Sequence, residues 1–453
     1  MTSRLIAGAL LVAAALIAWL AIMFTLVARA MQAVIALSLV YVGYLALRGF
    51  QAMRDARRAA SAVSATPPAG ATPPAGATAP AERPWVTLIL PARNEAPVIG
   101  EAVAQLAAQH YAGPDGPRFD LVVVDDASSD GTADVARRAG AAYGERVRVV
   151  RREPDDGPRT KAAALNFAHP FCRGDVIGVL DADSRVPPDF LAGVMGAWDD
   201  DADAAAIQAQ RRAGNPGAGW LAAAQDEELL MDMASQCGRR ATDGTAELRG
   251  NGMFVRRERL ERVGGWNGAA LTEDLDLSTR LVAAGERIGL APQAEVGEEA
   301  VLTFAALWRQ RMRWAEGSLR RLLELGPALL AERHVPTGRK LDFLAFTGEF
   351  LIPPVFATAI LASLVTIPLP RPADWTVPVS LFVGYGLGTF LLAVAGLAAH
   401  GVRGWALLGR ATRGSLFLSH WLLVVPAALL RIAVAPRTTA FAQTPRVGHL
   451  PNR

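Results

Sequence analysis

Two aspartates, Asp181 and Asp183, directly follow a short apolar run, Val176 to Leu180, in this 453-residue chain. The β-branched run predicts a buried strand with both carboxylates at its carboxyl end. If the extended backbone continues through the turn, the two side chains face one ligand. Adjacent carboxylates repel each other unless a cation separates them, and oxygen ligands suit Mg2+ or Mn2+, which also bind diphosphate. A short motif of this kind often marks only an acidic surface turn, so the other motifs in the chain must distinguish a metal site from such a turn.

Polar residues end other apolar runs as well. The segment "WVTLILP" predicts a strand ending at Pro91, and "FDLVVVDD" predicts a strand from Leu121 to Val124 that is followed by Asp125 and Asp126. "VRVVRR" predicts a third strand, and "GPRTKAAALNFAH" predicts a helix with Lys161 near its start. This alternation predicts an α/β domain with a mostly parallel sheet, whose ligands bind beyond the carboxyl ends of the strands. An ordinary helix cap also accounts for the turn after Asp126. The polar residues expected at the ligand edge are Asn94, Glu95, Asp125, Asp126, Asp181 and Asp183.

A second polar group lies further along the chain. Gly250 and Gly252 flank Asn251, and glycine lets a backbone approach a ligand closely. Thr272, Glu273 and Asp274 precede the helical pattern "LDLSTRLVAAG", where Thr272 is a candidate N-cap. A capping box would need its acid at position 275, which is leucine, so capping does not explain Asp274. Asp274 therefore needs another explanation, and a solvated acid at the helix start is the simplest one.

The segment "LTFAALWRQRMRWAEGSLRRLLEL" predicts an amphipathic helix. Gln310, Arg313, Trp314 and Gly317 share one face. The roughly opposite face is apolar and carries Phe304, Trp308, Met312, Ala315, Leu319, Leu322 and Leu323. Arginines at positions 309, 311, 320 and 321 flank this stripe, as in a helix that lies in a membrane interface. A basic amphipathic helix without catalytic duty explains the stripe and the arginines but not the polar face.

Hydrophobic residues make up 51% of the chain and concentrate in five segments. These candidate membrane segments are Leu5 to Ala28, Gln32 to Leu47, Leu341 to Leu369, Val377 to Ala399 and Leu416 to Ala435. The first is too long for the apolar core of a signal peptide. Basic residues after the second segment place the central region in the cytoplasm by the positive-inside rule. An uneven number of spans then leaves the arginine-bearing tail outside, unless Pro353 and Pro354 break the third segment into a re-entrant or paired element.

The predicted organisation has six parts. Residues 1–50 form two transmembrane helices, 51–84 a Pro/Ala/Gly-rich linker, 85–300 the catalytic domain, 301–335 the amphipathic helix, 340–437 about three transmembrane segments and 438–453 a tail. The net charge of +3 is not gathered on one face, so no nucleic-acid partner is expected. Cys172 and Cys237 lack metal-ligand spacing and are expected to be buried free thiols.

The motifs "PARNE", "VVVDDASSDGT", "KAAALN", "DADSRVPPDF", "TED" and Gln-x-x-Arg-Trp together resemble the membrane-bound family 2 glycosyltransferases. That family includes cellulose, chitin, hyaluronan and poly-N-acetylglucosamine synthases. The resemblance implies a GT-A fold, a UDP-sugar donor and a divalent metal, Mg2+ or Mn2+. It covers about residues 85–317 together with the flanking membrane segments.

The resemblance also implies roles for individual residues. The donor nucleotide would contact Pro91, Arg93, Asn94, Glu95, Asp125, Asp126, Lys161 and Asp181. The metal would bind Asp183, and the catalytic group would comprise Asp274 as general base with Glu273 and Arg313. The acceptor would contact Gln310, Trp314, Gly250 and Asn251, with Trp314 stacking on it.

The expected reaction is inverting transfer of one hexose at the cytoplasmic face of the inner membrane. A growing β-linked polysaccharide is the first acceptor expected, with a small membrane subunit or a homodimer completing a secretion path. Single transfer to a lipid such as diacylglycerol is the alternative, because some family members with a similar "RWAEG" helix act on lipids. A non-catalytic membrane scaffold or channel is the third possibility, and the intact acids Asp183 and Asp274 argue against it.

Overall fold

The computed structural model describes residues 2–23, 25–64, 83–366 and 377–435. Most of the predicted linker and the whole tail, including "AQTPR", lie outside these ranges. Both cysteines lie within them and are buried free thiols, as expected.

A seven-stranded mixed sheet forms the centre of the described residues. Its strands are β1 Val86–Ala92, β4 Phe119–Asp126, β5 Val147–Arg152, β6 Val176–Val179, β7 Ala204–Ala213, β8 Met253–Arg256 and β9 Arg287–Glu298. Their order is β5-β4-β1-β6-β8-β7-β9, and β8 is antiparallel to both of its neighbours. The strands β2 Ala112–Gly113 and β3 Gly116–Pro117 form a separate small hairpin. The predicted mostly parallel sheet is thus confirmed, because β1, β4, β5 and β6 pair in parallel.

The helices fall into a catalytic group and a membrane-associated group. The catalytic group is α3 Ile99–Ala107, α4 Thr132–Gly140, α5 Lys161–Ala168, α6 Phe190–Asp200, α7 Trp220–Ala241, α8 Arg257–Arg262, α9 Glu273–Ala283 and α10 Phe304–Ala331. The other group is α1 Thr2–Met23, α2 Thr25–Ser64, α11 Thr337–Gly348, α12 Ile352–Thr366, α13 Val377–Ala399, α14 Gly404–Leu418 and α15 Trp421–Val434.

Strand alternation divides the core of the catalytic domain into two layers. Leu88 and Leu90 of β1 face a cluster with α3 and α6, whereas Ile89 between them faces a cluster with α5 and α9. All three side chains are fully buried. Burying both faces of β1 fixes its register, so the residues at its carboxyl end hold a defined place at the edge of the sheet.

Helix α7 joins the catalytic sheet to the membrane-associated helices. It packs on β7 and contacts α2, α13 and α14. At the crossing with α2, a methyl group on Gly49 would overlap the carbonyl oxygen of Ala234, and one on Gly238 would overlap that of Leu45. Glycine at both positions lets the two helix backbones touch, which anchors the amino-terminal segments to the catalytic domain.

Three helical stretches among the described residues are long and apolar enough to cross a membrane. They are Gln32–Ala56, Thr337–Leu361 and Gly404–Val434, and Ser3–Ile17 and Val383–Ala399 are shorter apolar helices. The backbone remains helical at Gly348, Glu349 and Ile352. Pro353 and Pro354 lie in the first turn of α12, where proline leaves no intrahelical hydrogen bond unmade. A short 3-10 turn, Glu349–Leu351, separates α11 from α12 directly before these prolines. A re-entrant or paired element at this point stays a prediction.

Candidate active site

The loops after β1 and β4 are tied together at the carboxyl edge of the sheet. Ala92 is paired with Asp125 in the register of the two strands. The backbone N–H of Asn94 donates to Ser128 Oγ at 2.9 Å, and Asn94 Oδ1 accepts from the N–H of Ser129 at 2.9 Å. Asn94 has the left-handed φ of 52° and Ala127 one of 54°. Left-handed backbone at non-glycine residues is costly and clusters at functional sites. The loops that carry Arg93, Asn94 and Glu95 thus form one strained edge.

Asp125 and Asp126, at the end of β4, are each paired with an arginine of β5. Asp125 Oδ2 lies 2.9 Å from Arg151 Nη1 and is fully buried, whereas the Arg151 side chain is 42% exposed. Asp126 Oδ1 lies 2.6 Å from Arg152 Nη1, and the Arg152 side chain is only 2% exposed. The Asp126–Arg152 pair is therefore a buried structural contact, while the Asp125–Arg151 pair reaches the surface of the cleft.

Asp181 and Asp183 contact different partners. The N–H of Ser184 donates to the carbonyl of Asp181 at 2.9 Å, so the chain turns immediately after β6. Asp181 Oδ1 accepts from Lys161 Nζ at 2.6 Å, and Asp183 Oδ2 accepts from the N–H of Glu299 at 2.9 Å. The extended geometry on which a shared ligand depends ends at this turn, so strand alternation does not bring the two carboxylates together.

The donor set at this turn fits a divalent cation bound jointly with phosphates. Within residues 2–23, 25–64, 83–366 and 377–435, no cluster of three or more His, Cys, Asp and Glu side chains could hold a metal by itself. Mg2+ in nucleotide sites characteristically uses only one or two carboxylates, with substrate phosphates and water completing its coordination. Asp183 lines an open cavity with Ser184 and Glu298, so it could supply one such carboxylate.

Gly250 and Asn251 connect this turn to the start of α9. Asn251 is buried, and its Oδ1 accepts from the N–H of Asp181 at 3.2 Å and from Ser184 Oγ at 2.9 Å. Gly250 has a φ of 80°, and a methyl group there would lie 3.2 Å from Asp274 Oδ2 and 3.7 Å from Lys161 Nζ. A larger residue at Gly250 would therefore strain the backbone and crowd both groups.

Asp274 lies half-buried at the first turn of α9, next to Lys161 and Glu273. None of the salt bridges found among the described residues includes Asp274, whereas Glu273 Oε1 lies 3.4 Å from Lys161 Nζ. Burial and the charge of Glu273 raise the pKa of the Asp274 carboxyl to about 6. The expected N-cap hydrogen bond from Thr272 is absent, although Thr272 does occupy the N-cap position. A carboxylate whose pKa is nearer neutrality is a better proton acceptor from a hydroxyl group.

Lys161 stays cationic between these acids. Burial acts to lower its pKa, but the charges of Asp181 and Glu273 outweigh burial and hold the pKa above its usual value. Lys161 begins α5, where the Oγ1 of Thr160 accepts the N–H of Ala163 at 3.2 Å as an N-cap. The helix start thus fixes the lysine beside the turn after β6.

Helix α10 packs against the start of α9, next to this group of charges. Gly317 packs directly on Thr272, and a methyl group at Gly317 would lie 2.7 Å from Thr272 Oγ1 and overlap its Cγ2. One turn earlier, Arg313 is half-buried, and burial lowers its pKa against the opposing effect of the charges of Glu273, Asp181 and Asp274. Glycine at position 317 therefore lets the turn of α10 that carries Arg313 lie close to the start of α9.

Trp314 and Gln310 line a second, smaller cavity with Arg311 and Glu298. The guanidinium carbons of Arg311 and Arg211 lie 4.1 Å and 5.3 Å from the centre of the Trp314 ring. Arg211 is held by Glu298, with Nη2 to Oε1 at 2.6 Å. The indole that the sequence assigned to acceptor stacking thus already contacts two cations, which limits the ring surface open to a sugar.

The arginines expected to face lipid headgroups are mostly buried in ion pairs. Arg311 is paired with Glu228, Arg320 with Glu316 at 2.9 Å, and Arg321 with Glu247 at 2.6 Å, and each guanidinium-bearing residue is 5% exposed or less. On the other face, Met312, Ala315 and Leu319 pack on α15 and not on a membrane interface. Phe304 and Trp308 are instead 71% and 43% exposed, so the apolar face is buried only in its middle.

Eleven of the sixteen predicted residues fall into two groups. One group surrounds Asp274 and consists of Lys161, Asp181, Gly250, Glu273, Asp274 and Arg313. The other is the strained donor edge, with Pro91, Arg93, Asn94, Glu95 and Asp125. Sequence reasoning did not find Arg211, Glu247 or Glu298. Arg211 lies at the polar end of β7, and this position is the one feature of the sequence that could have marked it as a site residue.

The mostly parallel sheet, the acids at the carboxyl ends of its strands and the raised pKa of Asp274 are compatible with a glycosyltransferase. The family model described as "Glycosyltransferase like family 2" matches residues 83–317, which is more than half of the chain. The chain therefore belongs to this family of enzymes, as the motifs implied.

Its curated relatives include lipid-modifying enzymes. The chain is 33% identical over 371 residues to a "Beta-monoglucosyldiacylglycerol synthase" of Synechocystis sp., covering 80% of this chain and 74% of the relative. A protein of the same name from Trichormus variabilis is 32% identical and covers 81% and 77%. A "Poly-beta-1,6-N-acetyl-D-glucosamine synthase" of Staphylococcus aureus is 27% identical over 51% of this chain and 54% of the relative.

Among solved structures, a mannosyltransferase from Pyrobaculum calidifontis in complex with GDP-Man and Mn2+ shares the fold. It has a TM-score of 0.51 at 24% identity, covering 80% of this chain and 98% of the other. At this identity the match supports the GT-A architecture and no detail of the ligands.

Proposed function

We propose that this enzyme transfers a single glucose residue from UDP-glucose to diacylglycerol at the membrane surface and produces a β-linked glycolipid. The observation that carries glycosyl transfer is the Asp274 carboxylate, whose pKa is raised to about 6 beside Lys161 and the Asp181 turn. The lipid acceptor is supported by the names of relatives that cover about four-fifths of the chain. This reverses the order given by the sequence, in which a polysaccharide came first.

The proposed chemistry is one inverting displacement. Asp274 accepts the proton of the acceptor hydroxyl as that oxygen forms a bond to the anomeric carbon. The bond from the anomeric carbon to the diphosphate oxygen breaks on the opposite face, so the α-linked donor yields a β-linked product. Lys161 and Arg313 supply fixed positive charge near the diphosphate. Glu273 raises the basicity of Asp274 and holds Lys161 at 3.4 Å.

Donor recognition is assigned to the strained edge. Arg93, Asn94, Glu95 and Asp125 would contact the uracil and ribose, where the paired loops after β1 and β4 hold them. Asp183 would hold Mg2+ or Mn2+. When bound, that ion supplies positive charge to the diphosphate. Gln310 and Asn251 would contact the acceptor, and Trp314 would do so by its edge, since Arg311 and Arg211 lie over its ring.

The proposed location is the inner membrane, with the catalytic domain in the cytoplasm. The three long apolar helices supply candidate spans. Arg48 and Arg54, near the end of the first of these spans, favour the cytoplasmic side for the catalytic domain. Single transfer to a lipid needs no secretion path, so the proposal does not require a partner subunit or a homodimer.

Purified full-length protein in lipid nanodiscs that contain dioleoylglycerol should convert radiolabelled UDP-glucose to a product that migrates as a monoglucosyl lipid. Parallel reactions with UDP-galactose and UDP-N-acetylglucosamine identify the preferred sugar. A product that grows in length without added lipid would instead establish polysaccharide synthesis. Absence of any transfer from the three donors, in protein that binds nucleotide, would contradict the proposal.

A further inference from the structure

Helix α10 is held against α9 at two positions on its polar face. The first is the backbone contact of Gly317 with Thr272. The second lies one turn later, where Arg321 Nη1 donates to Glu247 at 2.6 Å and to Thr279 Oγ1 of α9 at 3.2 Å. Arg321 follows Gln310 by about three helical turns, so it shares the face that carries Arg313. The two contacts therefore fix both the distance of α10 from α9 and the rotation of α10 about its own axis, and with them the position of Arg313 relative to Asp274.

Glu247 is the centre of the second contact. Its Oε1 accepts from Arg321 at 2.6 Å and its Oε2 from Arg249 Nη1 at 2.7 Å, and the residue is 2% exposed. Arg249 in turn donates to both carboxylate oxygens of Asp232 in α7, at 3.1 Å and 2.9 Å. Burial acts to raise the pKa of Glu247, but the charges of Arg321 and Arg249 hold it well below its usual range. Glu247 is therefore ionised and joins α7, α10 and the loop before Gly250.

The backbone around Glu247 is fixed by its own hydrogen bonds. The Gln236 side chain accepts the N–H of Glu247 at 2.8 Å and donates to its carbonyl at 2.8 Å. The next N–H, from Leu248, donates to Ser278 Oγ at 2.8 Å, and Ser278 Oγ donates to the carbonyl of Asp274 at 2.7 Å. The loop that carries the Glu247 carboxylate is thus linked through the Ser278 hydroxyl to the backbone of Asp274.

We propose that Glu247 is a positioning residue that acts through Arg321 and Arg249, holding α10 and α9 in the register that brings Arg313 beside Asp274. Glu247 itself does not reach the reacting atoms. The inference rests on the proposed glycosyl transfer, in which Asp274 and Arg313 act together. Its specific content is that loss of the Glu247 charge lowers turnover while nucleotide affinity stays the same.

The same helix provides a matched control on its other side. Glu316 Oε1 accepts from Arg320 Nε at 2.9 Å, and its Oε2 lies 3.3 Å from Arg431 of α15. Glu316 is 3% exposed, so the two acids are buried to the same extent and each contacts two arginines. The Glu316 pairs join α10 to α15 and involve no residue of α9.

The test compares full-length E247Q and E316Q in nanodiscs. Turnover of E247Q should fall about 10- to 100-fold at an unchanged Kd for UDP, as expected for misplacement of reacting groups. E316Q should lose a similar amount of thermal stability and keep turnover close to that of wild type. R321Q should lose as much turnover as E247Q does. The double variant should have about the turnover of the less active single variant, because both substitutions remove the same interaction.

A second readout does not depend on the acceptor. Hydrogen–deuterium exchange at residues 272–279 should be faster in E247Q than in wild type, and unchanged in E316Q. If wild-type protein transfers no sugar to diacylglycerol, the proposed function fails, and this exchange comparison still decides whether Glu247 holds α9 to α10.

Equal loss of turnover in E247Q and E316Q would overturn the inference, because it would reduce Glu247 to a general stabilising role. So would a weaker Kd for UDP in E247Q, or unchanged exchange at residues 272–279. If E247Q does not fold, E247D and R321K retain the charges at altered length. Each should then show a smaller loss of turnover at unchanged Kd, and wild-type turnover in both would contradict the proposal.

Discussion

The acids at the end of β4 and the acid at the start of α9 are stabilised in opposite ways. Asp125 and Asp126 each face an arginine of β5, at 2.9 Å and 2.6 Å. Asp274 instead lies beside another carboxylate, Glu273, and shares the positive charge of Lys161 with it. An ion-paired carboxylate is a poor proton acceptor, because protonation would break the pair. The contrast supports the proposed division, in which β4 carries structural and donor-binding acids and α9 carries the proton acceptor.

The two regions should therefore respond oppositely when one carboxylate is replaced by its amide. Asp126→Asn leaves the guanidinium of Arg152, whose side chain is 2% exposed, without its countercharge. We expect a loss of about 3–5 kcal/mol of stability, the usual cost of breaking a buried pair. Denaturation followed by near-ultraviolet circular dichroism measures this loss. If the Asp126→Asn protein is as stable as wild type, the Asp126–Arg152 pair does not stabilise the fold and the structural role given to Asp126 is wrong.

The proximity of α10 to the base can be tested by adding one methyl group. Gly317→Ala would drive the new Cβ into Thr272, so α10 must move away from α9. Turnover should fall about 10- to 100-fold, since a displacement of about 1 Å at a reacting group has that effect. Gly409→Ala in α14 is the control, because a Cβ there meets nothing within 4 Å. Similar turnover in both variants would show that α10 does not need close contact with α9.

Removing the charge of Asp274 should stabilise the fold, unlike removal of the Asp126 charge. Its pKa is raised from 3.8 to about 6, so wild-type protein loses stability as the pH rises through that interval. Asp274→Asn avoids this loss and should gain about 1–3 kcal/mol at pH 8 relative to wild type, with no gain below pH about 4. Thermal denaturation midpoints at both pH values measure the difference. A loss of stability at pH 8 would contradict the assigned environment of Asp274.

The smallest expected effect is on the pH dependence of transfer. The acidic limb of kcat/KM should have an apparent pKa of about 6, the value for Asp274 in the free enzyme. Glu273→Gln removes a charge that raises this pKa, so the limb should move to lower pH. A profile of kcat/KM from pH 4.5 to 8 for both proteins measures the shift. A shift to higher pH would reverse the role given to Glu273.

Local sequence patterns were sufficient for the donor side of the molecule. The apolar runs of β1, β4, β5 and β6 and the acids after them are visible in short segments, because strand burial and strand ends are local properties. The turn after β6 was harder to foresee. Its hydrogen bond from Ser184 to Asp181 separates two acids that spacing alone would align.

The acceptor side depends on contacts between distant parts of the chain. Arg311, Arg320 and Arg321 resemble a membrane-facing basic stripe, yet Arg311 and Arg321 pair with Glu228 and Glu247, more than 70 residues away. No periodicity in α10 reveals those partners. The roles of α7 and Glu247 were missed for the same reason, since they arise only when α7, α9 and α10 meet.

The account depends most directly on the comparison of Asp274 with Asp276, two residues later on α9. Asp276 is 5% exposed and bonds Arg280 and Asn267, so Asp276→Asn is a matched structural control. Transfer and UDP binding should be measured on the same preparations of both variants. Asp274→Asn should lose about 10²- to 10⁴-fold in transfer while binding UDP as wild type does, and Asp276→Asn should keep its transfer rate per folded molecule. Transfer by Asp274→Asn at the wild-type rate would contradict the assignment of the base and, with it, the proposed mechanism.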